Sequence, residues 1–215
     1  MKNNKVLLIS INAMILAIIA IMTFVPYVGY IPFFGISITL IHVVVLIVAL
    51  FFGTLEGTIA GLMWGILCLI KAIANPSSPT DPIFINPLLS VLPRVLFGFI
   101  SGVIFSLIRK NKNEVTVLTL SLIACGFLTI LHTAMVMFMY YLEIDYLKWC
   151  YSFASAQYQS TTFFALMELV FVSNCIPECA IAMIVTPLLF IALKKAFPHL
   201  YIGYRKEEEK YAESK

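Results

Sequence analysis

Apolar residues occur in six long blocks along the chain, separated by short segments that carry prolines, glycines or charges. A helix needs about 20 apolar residues to cross the hydrocarbon core of a bilayer, and most of these blocks approach that length. The pattern therefore predicts an all-α membrane protein with six transmembrane helices. The predicted spans are residues 6–25, 36–52, 55–74, 88–108, 115–142 and about 174–195.

The last apolar block, residues 163–193, is too long for one straight span. It is interrupted by the sequence SNCIPE, in which Asn174 can cap a helix and Pro177 suits a first helical turn. We therefore predict that the sixth span begins near Asn174 and that residues 163–172 form an interfacial or re-entrant segment. The alternative is one long helix that is kinked at the proline.

Composition supports the membrane assignment and leaves room for one domain. The 215 residues are 61% hydrophobic and 12% charged, whereas soluble domains have about 25% charged residues. Residues 1–215 are therefore expected to form a single transmembrane domain with a short charged C-terminal tail at about residues 196–215. The six spans and their loops use up this length, so any ATP-hydrolysing part must lie on another polypeptide.

The positions of the 14 lysines and arginines predict an orientation. If both termini are cytoplasmic, only Lys71, Arg94 and Lys148 fall in the outer half of the protein, and all other basic residues lie inside. Because basic residues accumulate on the cytoplasmic side, this arrangement favours six spans with the N and C termini in the cytoplasm. The net charge of +3 then reflects topology and does not indicate nucleic-acid binding.

Five polar residues from different spans are predicted to share one depth near the outer face. An ionisable side chain inside a span is costly, so it usually faces a protein interior or a wet cavity. Two cations in such a pocket can bind a carboxylate, one as a guanidinium fork and one as a point charge. The alternatives are a lysine that snorkels to the interface and a structural ion pair between the arginine and the glutamate. The five residues are Lys71, Asn86, Arg94, Asn174 and Glu178.

Aromatic residues and histidines give weaker signals. Trp64 lies deep in the third predicted span and is a candidate wall of the pocket, and His132, midway along the fifth, is a candidate lining residue. For both His132 and His42 the alternative is hydrogen-bonded packing, which is the more common role of a lone histidine on an apolar helix. Tyr27 and Tyr30 fit an interfacial aromatic belt. The chain has no HExxH motif and no CxxC pair, so we predict no metal site.

Small residues form faces on which helices can approach closely. The glycines at 57, 61 and 65, and those at 98 and 102, form GxxxG patterns that favour packing within this chain. Ala13 and Ala17 form an AxxxA face in the first span, for which packing within the chain and docking of an external helical partner remain open.

Two other classes of function lack support in the sequence. A membrane enzyme needs a nucleophile, a base or a metal constellation, and the chain contains neither a GxSxG nor an HExxH motif. A self-contained ATPase needs GxxxxGK[ST], which is also absent. A secondary transporter typically contains inverted repeats, and no internal repeat is evident. We therefore expect neither a membrane enzyme nor a stand-alone transporter.

Four stretches resemble the substrate-binding S components of energy-coupling factor (ECF) vitamin transporters, in particular the pantothenate-type branch. They are the AxxxA face, the segment ITLIHVVVLIVALFFGTLEG, the segment at residues 70–98 with NP…SVLPR as its core, and SNCIPECAIAMIVTP at residues 173–187. The chain departs from the family pattern at His42, Cys175 and His132. These departures leave other S-component substrates open, such as riboflavin or hydroxymethylpyrimidine.

The resemblance implies a six-helix subunit of the bacterial plasma membrane with a vitamin site on its outer side. It implies as partners a transmembrane coupling subunit, docked on Ala13 and Ala17, and two ABC-type ATPases. No cofactor is then expected in this chain, because ATP binds to the partner subunits. Pantothenate has a carboxylate for Arg94 and Lys71, hydroxyls and an amide for Asn86, Asn174 and His132, and a dimethyl carbon that Trp64 can cover.

Overall fold

The computed structural model describes residues 2–33, 36–75, 84–111, 113–142 and 171–202, which are mostly helical. Two short strands, β1 and β2, follow the first helix, and a single π-helical turn, Phe171–Cys175, leads directly into the last long helix. The elements are α1 (Lys2–Phe24), β1 (Tyr30–Phe33), β2 (Ile36–Thr39), α2 (Ile41–Phe52), α3 (Thr54–Ala74), α4 (Pro87–Ser90), α5 (Leu92–Ile108), α6 (Glu114–Leu142), α7 (Ile176–Ala196) and a 3₁₀ turn (Pro198–Leu200).

The helices confirm the predicted membrane fold. Within the described residues, five helical segments are long and apolar enough to cross a membrane, and α2 is a shorter apolar helix. Their positions agree with the predicted spans to within a few residues, apart from the second. The cytoplasmic placement of the termini remains a prediction from the charge distribution.

The predicted second span, residues 36–52, is wrong in its first part. Ile36–Thr39 forms β2, which pairs antiparallel with β1 in the register Tyr30↔Thr39. The sequence ISIT alternates apolar and polar residues and is rich in β-branched side chains, which favours a strand. The helix that follows has 12 residues and is about 18 Å long, which is short of the roughly 30 Å hydrocarbon core.

The predicted break before the last span is a π-helical turn and not an interruption of the helix. Phe171–Cys175 continues directly into α7, which begins at Ile176 with Pro177 in its first turn. Proline has no N–H to donate, so it fits the start of α7, where the normal hydrogen-bond ladder changes. Residues 163–170, for which we predicted a re-entrant segment, lie outside the described residues.

The glycine patterns pack α3 against α5, as predicted. A Cβ on Gly61 would collide with the carbonyl oxygen of Arg94, and one on Gly98 would collide with that of Gly57. This close approach of two backbones requires residues without a side chain. It also fixes the start of α5, where Arg94 lies, against the middle of α3.

α1 and α2 pack against α3, α2 and α6 pack against α5, and α7 packs against α2 and α6. Most of α1 is exposed. α1 packs its buried Ile11, Ile15 and Ile19 against the bundle, whereas Ala13 and Ala17 are exposed.

We call the end of the bundle that carries β1 and β2 the hairpin end. The opposite end, where α5 stops at Ile108, is the Arg109 end. The charge distribution predicts that the hairpin end faces outward.

Candidate functional site

Trp64 is the centre of a buried aromatic cluster near the hairpin end. It lies on α3 and is 1% exposed. Its ring centroid is 6.3 Å from that of Phe97 on α5 and 5.1 Å from that of His132 on α6. The rings of Phe97 and His132 are themselves 4.9 Å apart. Three helices therefore meet around one indole, and the role of Trp64 as a pocket wall stays a prediction.

Arg94 lies against this cluster with its hydrogen-bonding capacity only partly used. It is 5% exposed, and its guanidinium carbon is 5.3 Å from the Trp64 ring and 4.8 Å from the Phe84 ring. One terminal nitrogen donates to the carbonyl oxygen of Leu89, but the buried Nε has no hydrogen-bond partner among the described residues. Such an unused donor is costly, which makes this guanidinium a candidate ligand for an anion.

The alternative ion pair between Arg94 and Glu178 does not form between these two described residues. The Glu178 carboxylate instead accepts a hydrogen bond from the backbone N–H of Thr39 at 2.6 Å. The backbone carbonyl of Glu178 accepts from Nε2 of His42 at 3.3 Å. Glu178 is 5% exposed and therefore links the start of α7 to β2 and α2.

Lys71 reaches the same cluster through Tyr30. The lysine is 8% exposed, and its ammonium lies 4.7 Å from the centroid of the Tyr30 ring, within the range of a cation–π contact. The Tyr30 hydroxyl accepts a hydrogen bond from Nε1 of Trp64 at 3.4 Å. Lys71, Tyr30, Trp64 and Arg94 thus form a continuous series of contacts, and the lysine does not snorkel away from it.

His132 contributes a second unused polar atom. Its ring is buried against Trp64 and Phe97, and its Nε2 has no hydrogen-bond partner among the described residues. An imidazole nitrogen can donate or accept according to its tautomer, so this atom suits a hydroxyl or an amide. The predicted lining role of His132 stays a prediction.

The two predicted asparagines lie outside the helices that carry Trp64, Phe97 and His132. The side chain of Asn86 caps α4 by accepting from the backbone N–H of Leu88 at 2.9 Å. Its backbone carbonyl accepts from the Ser90 hydroxyl at 3.0 Å. Asn174 is half-buried in the π-helical turn, four residues before Glu178. Whether either asparagine binds a substrate stays a prediction.

Sequence reasoning missed three aromatic contributors, namely Tyr30, Phe84 and Phe97. Tyr30, which we predicted for an interfacial belt, also contacts Lys71 with its ring and Trp64 with its hydroxyl. Burial raises the pKa of the Tyr30 hydroxyl well above its ordinary value, so the hydroxyl remains protonated. Phe97 follows Arg94 by three residues, a spacing that places both on one helical face and could have indicated it.

Comparison with known proteins identifies related chains. The family described as "ECF transporter, substrate-specific component" matches residues 8–190. The pantothenate transporter PanT of Leuconostoc mesenteroides subsp. mesenteroides is 35% identical over 117 residues, which cover 53% of this chain. The alignment spans 57% of the length of that transporter.

Proposed function

We propose that this chain, which belongs to the family of ECF transporter substrate-specific components, binds pantothenate through Arg94 and Lys71. Family membership makes it a transport subunit, a multi-pass protein of the bacterial plasma membrane that associates with ECF coupling and ATPase subunits. The choice of pantothenate is supported by the similarity to a pantothenate transporter and by the chemistry of the cluster around Trp64.

The observation that carries the proposal is a pair of buried cations joined by aromatic rings. Arg94 contacts the Trp64 ring, Lys71 contacts the Tyr30 ring, and both cations are less than a tenth exposed. The buried Nε of Arg94 has no hydrogen-bond partner among the described residues, and an unsatisfied donor in an apolar environment is costly. A carboxylate satisfies this donor, and a charge-assisted hydrogen bond is stronger than a neutral one.

The rest of pantothenate matches the remaining groups of the cluster. The molecule has two hydroxyls and an amide, which suit the unused Nε2 of His132. Its dimethyl carbon is apolar and suits the face of Trp64. Asn86 and Asn174 remain proposed ligands for the other polar atoms. The side-chain oxygen of Asn86 also accepts from the Leu88 N–H at the start of α4.

The proposal includes the partners and the energy source. One transmembrane coupling subunit and two ABC-type ATPases would complete the transporter, with ATP bound to the ATPases and no cofactor in this chain. Ala13 and Ala17 are proposed as the docking face, and their exposure on α1 supports this role. This subunit would have no catalytic activity of its own.

A direct experiment separates pantothenate from the other vitamins that S components bind. The purified chain in detergent is titrated calorimetrically with pantothenate, riboflavin and hydroxymethylpyrimidine, and co-purified small molecules are identified by mass spectrometry. We expect pantothenate to bind most tightly, because it alone of the three carries a carboxylate. Tighter binding of riboflavin or hydroxymethylpyrimidine would contradict the proposal.

A further inference from the structure

Tyr30 contacts two proposed substrate-binding side chains at once, although it lies outside the helices. Its ring lies under the Lys71 ammonium, at 4.7 Å from centroid to nitrogen, and its hydroxyl accepts the Trp64 indole N–H at 3.4 Å. Lys71 and Trp64 are seven residues apart on α3, which is about two helical turns, so they lie on one face of that helix. Tyr30 therefore contacts the Lys71 ammonium and the Trp64 indole N–H on the same face of α3.

The position of Tyr30 is fixed by the hairpin and not by its own side chain alone. In the β1–β2 register it pairs with Thr39, whose backbone N–H donates to the Glu178 carboxylate. The preceding Gly29 is so close to the backbone of Met22 that a Cβ there would collide with its carbonyl oxygen. The hairpin base is therefore held between α1 and α7, and it presents Tyr30 to α3.

We infer that Tyr30 is a positioning residue that holds the Lys71 ammonium and the Trp64 indole in place for a carboxylate-bearing substrate. The inference rests on the proposed function. A lysine side chain in solution has many rotamers, and ordering it at the moment of binding costs affinity. The Tyr30 ring holds the Lys71 ammonium in place before the substrate arrives. Lys71 therefore favours an acid over a neutral analogue more strongly than it would without the ring.

Tyr30 has two separable contacts, and two substitutions distinguish them. Tyr30→Phe keeps the ring under Lys71 but removes the acceptor for Trp64. Tyr30→Leu removes both contacts. Affinities are measured by calorimetry for pantothenate and for its primary-alcohol analogue, in which CH₂OH replaces the carboxylate. A Trp149→Phe background leaves Trp64 as the single tryptophan, because the chain has two, and its emission reports on the indole hydrogen bond.

We expect the ratio of acid to alcohol affinity to fall about tenfold in Tyr30→Leu and to stay within about threefold of wild type in Tyr30→Phe. The emission of Trp64 should shift in both variants, because both remove the acceptor. If Tyr30→Leu does not fold, Tyr30→Met tests the same contact with a flexible side chain that has no ring.

The ratio distinguishes a positioning role from a general structural one. If the affinities of Tyr30→Leu for acid and alcohol fall by the same factor, or do not fall, their ratio is unchanged. That result would overturn the role of Tyr30 and leave the proposed function standing. A wild-type chain that binds neither compound, or that binds the alcohol as tightly as the acid, would overturn the proposed function and this inference with it.

Discussion

Arg94 and Arg109 lie at the two ends of α5 and have different environments. Arg109 donates from one terminal nitrogen to the carbonyl oxygens of Ala49 and Leu50, at 3.0 and 2.7 Å. These carbonyls belong to the last turn of α2, where most carbonyl groups lack an intrahelical donor. The Ala49 carbonyl also accepts from the backbone N–H of Gly53, at 3.2 Å. Arg94 donates to one carbonyl, lies against the rings of Trp64 and Phe84, and keeps a buried Nε without a partner among the described residues.

This difference separates a structural cation from a candidate ligand. A guanidinium at the C-terminus of a helix is satisfied by backbone oxygens and by the helix dipole, so it needs nothing from outside. A guanidinium held by aromatic faces keeps its charge and part of its donor set for another group. The Arg109 end of the bundle is therefore expected to control stability, and the hairpin end to control binding.

The largest effect is expected from Arg94→Ala, which should weaken pantothenate binding at least about 30-fold. Truncating one partner of a buried charge pair costs about 2–5 kcal/mol, and each 1.4 kcal/mol is about tenfold in affinity. Arg94→Lys should restore only part of the affinity, because an ammonium cannot form the guanidinium fork. Calorimetric titration measures both variants. The exposed Lys195→Ala serves as the matched control that loses one positive charge elsewhere, and it should bind like wild type. Unchanged affinity in Arg94→Ala would remove the carboxylate site.

Arg109→Ala is expected to lower stability without changing pantothenate binding. Removing its two bonds to α2 carbonyls should lower the free energy of unfolding by about 1–3 kcal/mol and leave pantothenate affinity within about twofold of wild type. Thermal unfolding in detergent and titration of the same sample measure the two quantities. Loss of affinity without loss of stability would reverse the roles that we assign to the two arginines.

A pair of Glu178 variants tests whether this carboxylate supports the hairpin or contacts substrate. Glutamine keeps an oxygen that can accept from the Thr39 N–H, whereas alanine leaves that donor unsatisfied. We therefore expect Glu178→Gln to bind and unfold like wild type and Glu178→Ala to be about 1–3 kcal/mol less stable. Impaired binding in the glutamine variant alone would show that the charge of Glu178 acts on the substrate.

The smallest effect is expected at the exposed pair of the Arg109 end. The ammonium of Lys194 contacts the Glu114 carboxylate, which is largely solvent-exposed. Because exposed ion pairs contribute little to stability, Lys194→Ala should not measurably change the unfolding temperature or pantothenate affinity. A clear loss of stability would mean that the Arg109 end depends on more than the cap formed by Arg109.

Apolar length predicted most of the fold, because a span of about 20 residues leaves an unambiguous signal. It failed at residues 36–39, where β-branched residues extend an apolar run but pair as a strand with β1. The length of an apolar run does not show whether its β-branched residues belong to a helix or to a strand. The GxxxG faces were predicted correctly, since the absence of a side chain has one physical consequence, close packing.

Part of the site was predicted from the depth of polar residues along the spans. Depth along the spans predicted one level for Arg94 and Lys71, and Trp64 and His132 were predicted from deeper positions in their spans. The structure places all four around the same rings. Depth does not determine which partner satisfies a polar group. The helix cap formed by Asn86, the bond from Thr39 to Glu178 and the bridge made by Tyr30 all depend on segments outside the spans.

The most direct test of the central claim is an experimental structure of the chain with pantothenate bound. We predict that a carboxylate oxygen lies about 2.7–2.9 Å from Nε of Arg94, with the second oxygen facing Lys71. A carboxylate bound elsewhere, with Nε of Arg94 still lacking a partner, would contradict the claim.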